Sequence, residues 1–137
     1  MFEKPFKLEI ISPERVVFSG DVAAVSVPGT SGGFQVLRSH APLMSSLEVG
    51  RITVKAVDGT DMHYATSGGF VEVRDNVMVV TVETVERADK IDVDRARRSR
   101  ERAQERLAKH AEDIDIVRAE ASLLRAMNRL RVAERAS

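Results

Sequence analysis

The chain has no cysteine and no tryptophan. Without a thiol, neither a disulfide framework nor a thiolate zinc site can form, which fits a reducing interior. No apolar run approaches the roughly 20 residues that a bilayer-spanning helix needs, and Met1-Phe2-Glu3-Lys4 does not open a signal peptide. The expectation is a soluble chain, tied to any membrane only through a partner. Aromatic residues are scarce. All six lie at or before Phe70, as do all eight Gly and all four Pro.

At 137 residues the chain is long enough for one domain, or one domain with a small appendage. The formal charge of +0 hides an asymmetry. Met1 to Arg87 carries 8 Lys/Arg against 11 Asp/Glu, whereas Ala88 to Ser137 carries 13 against 10. Composition breaks at the same place, near Arg87–Lys90. The chain divides there into a punctuated part, 1–87, and a part without Gly or Pro, 88–137.

The first part alternates in short runs. Phe6 to Ile11 is stopped by Ser12-Pro13-Glu14; Arg15 to Phe18 is followed by Ser19-Gly20-Asp21 and then by Val22 to Val27. Pro28 to Gly33 reads as a loop and Phe34 to Leu37 as another strand. Arg51 to Val57 and Thr60 to Thr66 flank Asp58-Gly59, a strong hairpin signal. Ser67-Gly68-Gly69 leads into Phe70 to Val73, and Arg74-Asp75-Asn76 turns the chain back through Val77 to Val82. Val77-Met78-Val79-Val80 is apolar at every position, which predicts a central strand. Short strands with Gly/Pro punctuation predict an antiparallel sandwich or flattened barrel.

The second part predicts two helices with matching openings, Ile91-Asp92-Val93-Asp94-Arg95-Ala96 and Ile114-Asp115-Ile116-Val117-Arg118-Ala119. An Asp in the first turn suits the positive end of the helix dipole. Helix one is expected over Asp92 to about His110 and helix two over Ile114 to Arg135, with Glu112-Asp113 in the turn. Ala119, Leu123, Ala126, Leu130 and Ala133 form a heptad stripe, facing Ala96, Ser99, Ala103 and Leu107 of helix one. The short turn makes the pair an antiparallel hairpin. The fold class is therefore α+β: an N-terminal antiparallel β-sandwich followed by a C-terminal two-helix hairpin. Burying a Leu or Met contributes roughly 1.5–3 kcal/mol and an Ala much less, so this Ala-rich, highly charged hairpin is expected to dock weakly. It could act as a two-state element or as a plain solvated cap.

Catalysis finds little to work with. No Walker-type loop is present, because Gly29 to Gly33 has neither the Lys nor the following helix. His40, His63 and His110 show no metal-ligand spacing. What remains is a set of arginines: Arg95 and Arg102, two turns apart, and Arg125 and Arg129, four apart. In a folded hairpin these four can converge, with Asp92 beside Arg95 to orient them, and guanidinium forks suit phosphate oxygens. Ordinary intrahelical pairs, Arg97–Glu101 and Arg102–Glu105, are the competing reading. Nucleic acid is a weaker fit, since acids interleave with the arginines and no aromatic stands beside them.

Taken together, the chain resembles the epsilon subunit of bacterial F-type ATP synthase over essentially its whole length. The resemblance rests on Phe6-Lys7-Leu8-Glu9-Ile10-Ile11-Ser12-Pro13-Glu14, Ser39-His40-Ala41-Pro42-Leu43-Met44, Ser67-Gly68-Gly69-Phe70 and Leu124-Arg125-Ala126-Met127-Asn128-Arg129-Leu130. Ile91-Asp92-x-x-Arg95-Ala96 resembles the ATP-recognition phrase of some members. By that pattern the ATP-binding candidates are Glu86, Ile91, Asp92, Arg95, Ala96, Arg102, Arg125 and Arg129. One departure stands out: where the family often has Gly-x-Leu-Pro-Gly-His, this chain reads Phe34-Gln35-Val36-Leu37-Arg38-Ser39-His40, without the Pro-Gly.

The resemblance implies a non-catalytic rotor subunit at the cytoplasmic face of the cell membrane, peripheral to it. The sandwich would grip the gamma subunit and rest on the c-ring. The hairpin would inhibit hydrolysis when extended onto the alpha/beta subunits, and ATP, with or without magnesium, would be a regulatory ligand favouring the folded-down state. No catalytic cofactor is implied. The alternative is a free-standing module that uses the basic hairpin to bind anions or nucleic acid.

Overall fold

A computed structural model describes residues 4–109 and 115–135, with only the backbone of Arg135. His110, the Glu112-Asp113 turn and the expected start of helix two at Ile114 lie outside the described residues. The strands are β1 (Phe6–Ile11), β2 (Val16–Val27), β3 (Phe34–Val36), β4 (Leu43–Leu47), β5 (Gly50–Ala56), β6 (Asp61–Thr66), β7 (Gly69–Arg74), β8 (Val77–Val82) and β9 (Val85–Arg87). A 3-10 turn, Ala88–Lys90, leads to α1 (Val93–Lys109) and α2 (Ile116–Arg135).

One hydrogen-bonded path runs β4-β7-β8-β1-β2-β5-β6-β9, with β3 on the far end of β2. It folds into two layers because β2 serves both. Its first half, up to Val22, pairs with β1, and its second half, Val22 to Val27, pairs with β5 and β3. A register shift between Val22 and Ala24 marks the corner, as bulges bend and twist a strand. The alternation in the sequence suggests a break at Ser19-Gly20-Asp21 between two separate runs. Instead these residues continue β2, opposite Glu9, Leu8 and Lys7. Ladder pairing along the full length of β1 outweighs the local break.

The pairing is antiparallel throughout except between β1 and β8, which are parallel. β8 is central, as expected, flanked by β7 and β1. It is not buried on both faces, however: Met78, Val80 and Val82 point into the core while Val77 is 37% exposed. The strands β4 and β9 had no counterpart in the sequence reading. Asp75 and Asn76 both have positive φ, 52° and 61°, in the two-residue link between Arg74 and Val77, the backbone of a type I′ hairpin. Gly69 is required by close approach: a Cβ there would stand 2.2 Å from the Thr81 carbonyl oxygen.

The missing Pro-Gly is replaced by contacts. Ser39 holds φ at 65°, its N–H donates to Asn76 Oδ1 at 2.6 Å, and Arg38 Nη1 donates to the Pro5 carbonyl at 3.1 Å. A non-glycine residue in the left-handed region needs such fixing.

The sandwich core joins 16 buried side chains, among them Leu8, Ile10, Val25, Ile52, Val54, Met78 and Val80. Among the described residues the hairpin meets the sandwich through a separate cluster of four, Ala65, Ala88, Ile91 and Val132, with Ala133 against it. At roughly 1.5–3 kcal/mol for a fully buried Ile or Val and less for Ala, the second cluster contributes far less than the first. Between the helices the seam is Ala96 and Ala103 against Ala119 and Ala126, all buried, on the predicted stripes. Val132, off that stripe, is 1% exposed because α2 buries a second face, against the sandwich.

Candidate functional site

Two matching phrases set the helix starts. Asp92 Oδ1 accepts the Arg95 N–H at 3.0 Å, and Asp115 Oδ1 accepts the Arg118 N–H at 3.0 Å. Each Asp is thus the N-cap rather than a first-turn residue, and satisfies one of the donors that a helix start leaves open. The Asp92 carboxylate caps the backbone; no ion pair joins it to an arginine among the described residues. Ile91, just before it, is buried against Ala65, Ala88 and Val132, and Ala96 is fully buried in the interhelical seam.

Between β9 and the two helices lies a cleft of ≈ 470 Å³, lined in part by Glu86, Arg95, Ser99, Ser122, Arg125 and Arg129. β9 supplies Glu86 from the sandwich edge, α1 supplies Arg95 and Ser99, and α2 supplies Ser122, Arg125 and Arg129. Four of the eight candidates from the sequence therefore share one cleft. Ile91, Asp92 and Ala96 do not line it; they build the corner and the seam that hold α1 in place. Arg102 does not line it either. Its Nη2 donates to Ser99 Oγ at 3.2 Å, so it stands one turn beyond and touches the cleft's rim residue.

Charge in the cleft is unbalanced. Arg129 Nη2 donates to Glu86 Oε2 at 2.9 Å, and Nε lies against Oε1 as a charge contact in which the buried N–H finds no aligned acceptor. Arg95 and Arg125 have no carboxylate partner among the described residues. The predicted Arg97–Glu101 and Arg102–Glu105 pairs are not formed. Arg97 pairs with Asp94 at 3.6 Å and Glu105 with Lys109 at 2.9 Å. Donors exceed acceptors here, which is the condition an oxyanion satisfies.

Asn128 escaped the sequence reading as a functional residue. It is buried, and its Nδ2 donates to the Gly50 carbonyl at 2.8 Å and reaches the Thr66 carbonyl at 3.5 Å. The signal was available: an Asn in the middle of an otherwise good helix needs a partner. Ser99, Ser122 and Thr84, which also line the cleft, carried no such signal.

The β-sandwich domain of the ATP synthase delta/epsilon chain matches residues 5–88, and the long α-helix domain of the same chain matches residues 89–134. An ATP synthase epsilon chain of Nitratidesulfovibrio vulgaris (strain DP4) is 47% identical over 130 residues, 95% of this chain and 96% of the relative. One from Desulforamulus reducens is 44% identical over 131 residues, 96% and 98% of the two chains. Among solved structures, a chain of the Euglena gracilis mitochondrial ATP synthase, OSCP/F1/c-ring, superposes with a TM-score of 0.76. It is 22% identical and is matched over 99% of this chain and 83% of that one, a likeness of fold.

Proposed function

The chain belongs to the ATP synthase delta/epsilon family as an epsilon subunit, and from that premise we propose that it is a regulatory rotor subunit whose hairpin responds to ATP. In this reading the sandwich grips gamma and seats on the c-ring at the cytoplasmic face of the membrane. Among the described residues no helix is long and apolar enough to cross a bilayer. The subunit performs no chemistry itself. Extended, the basic second helix reaches the alpha/beta subunits and restrains hydrolysis.

The observation that carries the ATP reading is the gathering of Arg95, Arg125 and Arg129 with Glu86 in one cleft. ATP there would join α1 and α2 through its phosphates and β9 through its sugar or base, so its binding energy would hold both helices to the sandwich. Arg95 and Arg125, lacking carboxylate partners among the described residues, would take phosphate oxygens. The Glu86 carboxylate would keep Arg129 in place and offer an acceptor to the ligand's sugar or base. Ile91, Asp92 and Ala96 would act indirectly by fixing the start of α1. Arg102, beyond Ser99, would contribute long-range charge, and magnesium, if it accompanies ATP, would arrive on the triphosphate. Nothing observed favours a free-standing nucleic-acid module.

The demand on the ligand is definite. Reversing a 1:99 bias to 99:1 needs about 5.5 kcal/mol of differential binding, within reach of two or three charge-assisted contacts in a partly desolvated cleft. Isothermal titration of the full chain with ATP tests the reading. Saturable binding that Arg125→Ala weakens about tenfold or more, the loss of one such contact, supports it. No heat at cellular ATP concentrations would remove the sensor and leave the rotor role.

A further inference from the structure

On the other flank of α2 is a second and larger cleft, ≈ 690 Å³, that shares only Asn128 with the first. Its floor is the outer surface of the second sheet layer. Gln35, Ser26, Thr53 and His63 stand directly opposite one another across β3, β2, β5 and β6. The first three line the cleft, and His63 Nδ1 shares a hydrogen bond with Thr53 Oγ1 at 3.2 Å. Arg51 enters from β5 and Arg131 from α2, and no acidic residue lines the cleft. Among the described residues neither guanidinium has a carboxylate partner.

Two guanidinium forks in a concave site present a row of N–H donors at a volume typical of small-ligand pockets. Each fork matches two oxygens in parallel. Two forks therefore ask for more acceptor oxygens than one carboxylate carries, and the hydroxyl of Ser26 adds a donor. We infer that this cleft binds a tetrahedral oxyanion of the phosphate class, held between Arg51 of the sandwich and Arg131 of α2. Such an anion joins the sheet to the second helix alone. It would thus add to the hairpin's attachment independently of any ligand in the first cleft. Free phosphate and a nucleotide's phosphate share this chemistry, so the test separates them.

Amide-resolved NMR of the full chain, titrated in parallel with inorganic phosphate, ATP and acetate, reads the site directly. Saturable shifts at Ser26, Gln35, Thr53 and Arg51 are expected with phosphate, with ATP or with both; the responding ligand identifies the source. Those shifts should weaken about tenfold, the loss of one charge-assisted contact, in Arg51→Gln and in Arg131→Gln, and persist in Arg125→Ala. Unchanged spectra elsewhere confirm that the variants fold. Three results would overturn the inference: no saturable shift with either phosphate ligand, an equal response to acetate, or equal loss in Arg125→Ala.

Discussion

Arg129 of α2 reaches the sandwich edge and hydrogen-bonds Glu86 of β9 through Nη2 at 2.9 Å, with side chains 22% and 37% exposed. Among the described residues the pair is one of the few polar ties between hairpin and sandwich. Partial exposure screens it, so its worth lies nearer about 1 kcal/mol than the larger figure for a buried pair. Glu86→Gln leaves the guanidinium without its counter-charge. Amide hydrogen exchange in α2 should then speed up about fivefold, the equivalent of that energy, while β8 stays unchanged. Equal acceleration in β8 would mean the pair supports the whole fold and is no local latch.

Asn128 makes the complementary tie, to the carbonyls of Gly50 and Thr66. Asn128→Ala leaves a buried carbonyl without its donor, at a cost of about 1–3 kcal/mol. Asn128→Asp is predicted to be worse at neutral pH, because it sets a carboxylate against two carbonyl oxygens. Limited proteolysis of the linker after Lys90 should rank the three proteins wild type, then Ala, then Asp, from slowest to fastest. Identical rates would remove Asn128 from the docking.

The two caps allow an internal comparison. Asp92→Ala and Asp115→Ala each delete one N-cap bond of the same length, worth about 1 kcal/mol. Loss at Asp92 should also disturb the placement of Arg95 in the cleft, because that residue donates the capped N–H. Circular dichroism should show similar helix loss for both variants. ATP titration should separate them, with Asp92→Ala the weaker binder. Equal affinities would confine Asp92 to a purely helical role.

Much of this was legible in the sequence, for identifiable reasons. β1 and β8 were read at their observed limits, Phe6–Ile11 and Val77–Val82, because alternation or continuous β-branched residues marked them. β4, Leu43–Leu47, was missed because Ser45 and Ser46 dilute its pattern and its pairing with β7 is long-range. Ser19-Gly20-Asp21 separates two runs in the sequence because the local alternation breaks there, whereas its ladder with β1 is long-range. In the site, the heptad stripe located the interhelical seam. Val132 and Asn128 needed the docked position of α2, which no periodicity in one helix encodes. Arg102 was grouped with Arg95 by spacing along α1, yet the cleft closes before reaching it.

Tyr64 offers a prediction in pH. Burial in the core pushes its phenol above the ordinary value of 10.0, opposed by the nearby Arg87 and aided by Asp89. The folded state therefore holds the proton more tightly than the unfolded chain. The resulting stabilisation is complete below the unfolded value and is lost as pH rises through it toward the folded one. Denaturant melts from pH 8 to about 11 should show a stability decline above roughly pH 10, shallower in Tyr64→Phe. Parallel declines in both proteins would assign the alkaline loss to other groups.

The central claim is that a four-residue cluster and a few polar ties hold the hairpin far less firmly than sixteen core side chains hold the sandwich. Hydrogen exchange on the isolated full chain without nucleotide tests it most directly. The account predicts that amides of α1 and α2 exchange through an opening much less costly than global unfolding, with β1 and β8 protected, and that ATP slows the helices alone. Helical amides protected as strongly as those of β1 and β8 in the absence of any ligand would contradict it.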